Sequence, residues 1–169
     1  MTSVAAPSAG RPLRVVVDTN VWLDIHFFGD AQSQALAAAL ASPRWVAARC
    51  RETDAELAVI LQRPRFCPNP AERARLSERL YDWQARACPF ALRAQSLCRC
   101  RDPDDQKFLD LAFTAQAEVL VTKDKALLAL NRKARRFGLA ILTPREFGSR
   151  FAEHGMAQGQ GVVERVVAP

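Results

Sequence analysis

Two aspartates stand where an α/β chain could keep reactive groups. Leu13-Arg14-Val15-Val16-Val17 is a β-branched run that ends at Asp18. Val119-Leu120-Val121-Thr122 is a second run, with Asp124 two residues beyond it. In an open α/β sheet, ligands collect outside the carboxyl ends of the strands. Aspartate is also a favoured helix N-cap, so each of the two, taken alone, reads as a cap. Capping a helix and holding a metal are compatible uses of one carboxylate. Three further acids, Asp102, Asp104 and Asp105, crowd the start of one helical stretch. At about 100° per residue, Asp104 and Asp105 flank the apolar stripe of Phe108 and Ala112, so both can reach the sheet edge. Asp110 points away and reads as solvated. Asp102 reads as the N-cap, with Pro103 at the first helical position. Spacing alone does not separate Asp104 from Asp105. Glu56 lies on the flank of another buried stripe, four residues before Ile60, and Asp54 holds the opposite flank as a first-turn acid near the helix dipole.

These residues need elements to hold them. Leu13–Val17 predicts a buried strand, and Asp18-Thr19-Asn20 supplies N-cap residue types before Val21-Trp22-Leu23. Helices are expected over Asp30–Ala41, Thr53–Arg63, Pro70–Ala87, Pro103–Gln116 and Asp124–Leu130, with a short one opened by Pro144. Strands are expected at Trp45–Ala48, Glu118–Thr122 and Leu139–Leu142, with a short extended piece at Pro89–Leu92. Strands alternating with helices point to a three-layer α/β/α domain around a mostly parallel central sheet. The domain is expected to span residues 13–151, between a disordered tail over 1–12 and a flexible tail over 152–169. Gly155–Gly161 reads as a linker. Val162-Val163-Glu164-Arg165-Val166-Val167 reads as a frayed end, the alternative being a strand added to a second subunit in a homodimer.

Composition narrows the classes. A chain of 169 residues, 49% hydrophobic, is one domain's worth of sequence with material for a single core. No apolar run approaches ~18 residues without a charge, which argues against a membrane span. The start of the chain lacks the basic and apolar regions of a signal peptide, so a cytoplasmic location is expected. Five cysteines, Cys50, Cys67, Cys88, Cys98 and Cys100, suit reduced thiols better than a disulfide framework. Cys98 and Cys100 form a C-x-C pair, but neither His26 nor His154 stands at a zinc-finger spacing from them. The balance of 24 Lys+Arg against 18 Asp+Glu, a formal +6, favours polyanionic partners without proving one. The run Arg132-Lys133-Ala134-Arg135-Arg136 reads as a solvated basic loop and is the best single candidate for a phosphate-contacting patch. Trp22, Trp45 and Trp83 read as core or helix-face residues, and His26 as a half-buried histidine.

Four motifs in order carry a family resemblance. Val15-Val16-Val17-Asp18-Thr19-Asn20-Val21 resembles the opening strand of PIN domains. Asp102-Pro103-Asp104-Asp105-Gln106-Lys107-Phe108-Leu109, followed by Val119-Leu120-Val121-Thr122-Lys123-Asp124-Lys125-Ala126-Leu127-Leu128, is similar to the second half of that family. Glu56-Leu57, Val59 and the run Gln62-Arg63-Pro64-Arg65-Phe66 resemble the middle helix of a subgroup of toxins from toxin–antitoxin pairs. The resemblance covers Leu13 to Phe151. It implies a catalytic and metal-holding cluster of Asp18, Glu56, Asp105 and Asp124. Asn20 and Thr122 would be flanking polar residues, and Asp104 an auxiliary. It further implies a Mg²⁺- or Mn²⁺-dependent endoribonuclease, with RNA as substrate and a small antitoxin as partner.

Elementary chemistry agrees with that cluster. Several carboxylates gathered within a few ångströms cannot all stay ionised unless a cation holds them. Carboxylate oxygens suit magnesium or manganese, and no histidine or cysteine joins the set. A haloacid-dehalogenase-like phosphatase also begins with a strand ending in Asp, but its chemistry needs a second Asp where Asn20 stands. A receiver domain has a different order and spacing of acids. The remaining alternative is a non-catalytic PIN fold that binds RNA or protein, whose mark would be the loss of one of the four acids.

Overall fold

A computed structural model describes residues 11–64, 69–94 and 97–151. The expected tails therefore lie almost wholly outside the described residues, as do Arg65 and Phe66 of the middle motif. Strands β1 (Leu13–Val17), β2 (Trp45–Arg49), β3 (Cys88–Pro89), β4 (Val119–Val121) and β5 (Ala140–Leu142) form one sheet in the order β3-β2-β1-β4-β5. Every pairing is parallel, with Val15 beside both Ala47 and Val119, and Val119 beside Ala140. Parallel neighbours need crossovers, and here helices supply them. These are α1 (Thr19–Leu23), α2 (Gln34–Ala41), α3 (Arg51–Leu61), α4 (Pro70–Arg86), α5 (Gln106–Thr114), α6 (Lys125–Leu128), α7 (Asn131–Ala134) and α8 (Pro144–Phe151).

The period-2 alternation of the strands divides the apolar residues between two faces. Val15, Val17, Val119, Val121 and Leu142 pack with Trp22, Leu36, Leu57, Leu76, Trp83 and Phe147 on one side. Val16, Leu120 and Ile141 pack with Phe108, Leu111, Leu127 and Ala134 on the other. Central strands buried on both faces read as continuous apolar runs, which is why Val15-Val16-Val17 shows no alternation in sequence. The result is the expected three-layer α/β/α sandwich. Among the described residues no helix is long and apolar enough to cross a membrane.

The boundaries differ from expectation where side chains outside the periodic pattern intervene. Helix α3 starts at Arg51 rather than Thr53, because the Thr53 hydroxyl accepts from the Cys50 backbone N–H (3.1 Å) and closes the first turn. Helix α5 starts at Gln106 rather than Pro103. Asp102 is therefore not its N-cap; the Asp102 carboxylate accepts from the Asp104 N–H (2.9 Å) and closes a turn that precedes the helix. The Gln106 side chain fixes that start, accepting from Cys100 N–H (2.7 Å) and donating to the Cys98 carbonyl (3.1 Å). It also donates to Asp110 (2.9 Å), so Asp110 is bonded within the protein rather than simply solvated. Residues expected to start α2 at Asp30 instead form a 3₁₀ turn at Ala31–Ser33. The extended piece expected at Pro89–Leu92 is the two-residue β3, displaced by one position. The basic run is not a loop: Asn131–Ala134 is helical and Arg135–Phe137 continues it as a 3₁₀ turn, closed by Gly138 at φ +85°.

Candidate active site

The chain winds from β1 to β2 and β3 in one direction, then returns to place β4 and β5 on the other side of β1. The crevice between the carboxyl ends of β1 and β4 is thus the point where strand order reverses, the usual ligand position of an open parallel sheet. Asp18 and Thr122 are the first residues past those two strands. The Asp18 N–H donates to the Val121 carbonyl (3.0 Å) and the Thr122 N–H to the Leu142 carbonyl (3.0 Å), so the backbone of the sheet itself fixes both.

Asp18 is buried, at 3% exposure. It caps α1: one carboxylate oxygen accepts from the Asn20 N–H (3.3 Å), and the other accepts from the Thr122 hydroxyl (2.6 Å). The Thr122 oxygen in turn accepts from the Asp124 N–H (2.9 Å). Asp124 caps α6, its carboxylate accepting from Ala126 N–H (2.7 Å) and Leu127 N–H (3.0 Å). One buried hydroxyl therefore ties together the two strand-end acids. Burial pushes the Asp18 carboxyl above the usual range; the Thr122 and Asn20 hydrogen bonds oppose this, and the charges of Glu56 and Asp124 add to it.

The helix-borne acids are held differently. Asp105, at the N-terminal boundary of α5, makes no capping bond. Burial pushes it up to about 6, with the negative charges of Asp124, Asp18 and Asp102 adding and Lys107 opposing. Glu56 on α3 forms an ion pair with Lys107 of α5 (2.6 Å). Lys107 also donates to the Asp104 carbonyl and lies 5.1 Å from the Phe108 ring centroid. Asp54, on the other flank of α3, is paired with Arg49 at the end of β2 (2.5 Å). Asp18, Glu56, Asp105 and Asp124 are thus linked by mutual repulsion. Among the described residues, though, no three Asp, Glu, His or Cys side chains are drawn into one ready-made metal nest.

A profile of the PIN domain family matches residues 14–126, about two-thirds of the chain. The chain belongs to the PIN domain family. PIN domains are generally a nuclease fold and typically use divalent metal ions. Among solved structures, the PIN domain of RRP44 from T. brucei is similar at 16% identity, covering 86% of this chain and 83% of that one, with a TM-score of 0.41. No curated protein matches the chain.

Within this PIN domain the other singled-out residues fall as follows. Asn20 is exposed and reaches the cluster through its backbone N–H. Asp104 is exposed one residue before Asp105. Arg132, Lys133, Arg135 and Arg136 are all exposed. Their helix and turn lead into the amino end of β5, where Ala140 N–H bonds the Glu118 carbonyl (3.0 Å), at the end of the sheet opposite the acids. Cys98 and Cys100 are buried in the core beneath α5.

Two basic neighbours of the site make pairings that the sequence does not announce. Lys107 is one. The other is Lys123, between Thr122 and Asp124, whose ammonium pairs with both Asp24 and Asp30 (2.7 Å each). Burial works against the Lys123 charge, but those two carboxylates hold its pKa above the usual lysine value. Asp24 and Asp30 bracket a segment that only the tertiary structure assembles, so no local pattern could have placed them.

Proposed function

We propose that this PIN domain is an endoribonuclease that hydrolyses RNA phosphodiester bonds with Mg²⁺ or Mn²⁺. The single observation that carries the reading is the Asp18–Thr122–Asp124 chain at the switch point, with Asp105 and Glu56 close enough to feel its charge. The donor set fits a hard divalent ion: it is all oxygen, and its repulsion is what a cation would relieve. Asp18, Glu56, Asp105 and Asp124 would hold the ion, which when bound lowers the pKa of water and offsets charge on the attacked phosphate.

The chain's own residues do the rest. Thr122 donates to Asp18 and so keeps that carboxylate fixed and acceptor-only toward the crevice. The Ala126 and Leu127 N–H groups engage one oxygen of Asp124 and leave the other for a ligand. Burial and the neighbouring carboxylates raise the Asp105 carboxyl in the metal-free protein, and a bound cation would offset that repulsion and hold Asp105 ionised. Asn20 and Asp104 flank the cluster as auxiliaries. Arg132, Lys133, Arg135 and Arg136 would engage RNA phosphates away from the scissile one, because they sit at the other end of the sheet.

The middle-helix motif around Glu56 supports a finer reading, the toxin of a toxin–antitoxin pair held by a small antitoxin protein in the cytoplasm. The tail residues Val162–Val167 would support a homodimer only if truncation after Ala157 lowers the mass seen in light scattering. The central test is RNA cleavage by metal-free protein with and without added manganese. Cleavage that appears with the ion and vanishes in EDTA is expected, and undiminished cleavage in EDTA would overturn the reading.

A further inference from the structure

We infer that Gln106 is a positioning residue for Asp105: its side-chain amide clasps the chain that precedes α5 and so presents that carboxylate to the strand-end acids. The role rests on the endoribonuclease reading and deepens it. The amide is fully used. Its oxygen accepts from the Cys100 N–H (2.7 Å), and its nitrogen donates to the Cys98 carbonyl (3.1 Å) and to the Asp110 carboxylate (2.9 Å). One partner is a donor and two are acceptors only, so a single orientation of the amide satisfies all three. Neither a carboxylate nor an apolar side chain of the same length makes that set.

What the clasp joins gives it this role. Cys98 and Cys100 are buried in the same core cluster as Phe108 and Leu111 of α5. The bond to Cys100 therefore closes the turns of residues 101–105 across their base, from a core-anchored residue to the first residue of the helix. Asp105 is the last residue inside that closure. Its carboxylate makes no capping bond, and the charges of Asp124, Asp18 and Asp102 act against it. Repulsion of that kind pushes a carboxylate outward unless its backbone is held. The bonds from Asp104 N–H to the Asp102 carboxylate and from Gln106 N–H to the Pro103 carbonyl shape the turns. The Gln106 amide ties them to the core. It fixes the Asp105 backbone and leaves the carboxylate itself free to turn toward a cation.

The experiment measures Mn²⁺ binding by electron paramagnetic resonance for wild type, Gln106→Met, Asp105→Asn and the double variant, each checked by thermal denaturation. Gln106→Met keeps the side-chain length and removes all three bonds. Binding about 10–100-fold weaker is expected, the scale for groups that orient a metal ligand. An effect carried through Asp105 vanishes once that carboxylate is gone, so the double variant should bind within about twofold of Asp105→Asn. Terbium luminescence lifetimes, which count the water on a bound ion, give a second reading. Gln106→Met should gain water as Asp105→Asn does, and the double variant no more. Unchanged affinity and hydration in Gln106→Met, or losses that multiply in the double variant, would overturn the role. If Gln106→Met does not fold, Gln106→Asn, whose amide falls one methylene short, takes its place with the same outcomes. Manganese-dependent RNA cleavage by the wild type is scored separately. Ion binding that follows the clasp without cleavage removes the nuclease reading alone. Cleavage by a wild type whose Gln106→Met variant binds unchanged removes the positioning role alone, and a wild type that binds no ion overturns both.

Discussion

The two halves of the acid cluster are built on different principles. Asp18 and Asp124 are placed by backbone: each follows a central parallel strand, caps a helix and shares the Thr122 hydroxyl. Glu56 and Asp105 are placed by helices, and the Glu56–Lys107 ion pair joins α3 to α5 without reaching the strand-end acids. Strand-end acids are therefore preorganised at the cost of burial, while helix-borne acids keep freedom to adjust. Fixed groups supply the electrostatic preorganisation that catalysis draws on, and adjustable ones can complete a coordination shell.

The sharpest way to break the comparison is Asp18→Asn. Activity should fall by on the order of 10³-fold, the scale for removing one preorganised electrostatic group. The melting temperature should hold or rise, because removing a buried, repelled charge offsets the one acceptor, toward Thr122 or the Asn20 N–H, that the amide lacks. A ribonuclease assay beside calorimetry checks both, and wild-type cleavage by the variant would remove Asp18 from the site.

Thr122→Val keeps the shape and deletes the shared hydroxyl. The hydrogen bond goes to a charged, buried partner, so a loss of about 1.5–3 kcal/mol in unfolding free energy is expected, and activity should drop with it. Thr122→Ser should recover most of both in urea titration and in turnover.

Asp105 gives a pH test with a definite sign. Its folded pKa, about 6, lies above the ordinary 3.8, so between those values the folded state holds a proton that the unfolded state has released. Its contribution to stability therefore falls as pH rises through that window. His26, pushed down to about 4 by burial with Arg79 and Arg86 adding, has the opposite slope in nearly the same window. The whole-protein curve consequently mixes the two. The informative quantity is the melting-temperature difference between Asp105→Asn and wild type without metal, which should grow in the variant's favour from pH 4 to pH 7. A flat difference would mean that neither burial nor the acidic neighbours raise Asp105.

The smallest effect is expected from Lys107→Met. A partly exposed ion pair is worth about 1 kcal/mol or less, so stability should barely change. Manganese affinity measured by calorimetry should tighten several-fold, because Glu56 no longer has a competing ammonium. Weaker binding would show instead that Lys107 helps to set the site.

The backbone-placed half was the legible half. A β-branched run ending in aspartate announces both a strand end and a cap, so Asp18 and Asp124 follow from pattern and position. The helix-borne half was less so: periodicity left Asp104 and Asp105 equivalent, and placed the start of α5 at Pro103 because it could not foresee the turn that Asp102 closes. Pairings such as Lys107 with Glu56, Arg49 with Asp54, and Lys123 with Asp24 and Asp30 join different elements or turns and leave no periodic trace. The π-helical turn at Asp24–Phe28 was unreadable for the same reason, being held through His26 by Trp22, Trp83 and Arg79. The basic run was legible in charge but not in conformation.

Both rims of the sheet stop short. β3 has two residues and β5 three, so an arriving strand finds two or three rungs where a free edge of ordinary length offers five or six. Stacking molecule upon molecule through their sheets would gain too few backbone hydrogen bonds to outweigh the ordering it requires. Among the described residues, the short edge strands are thus expected to limit fibrous growth, and lengthening β5 by a few β-branched residues should raise the risk.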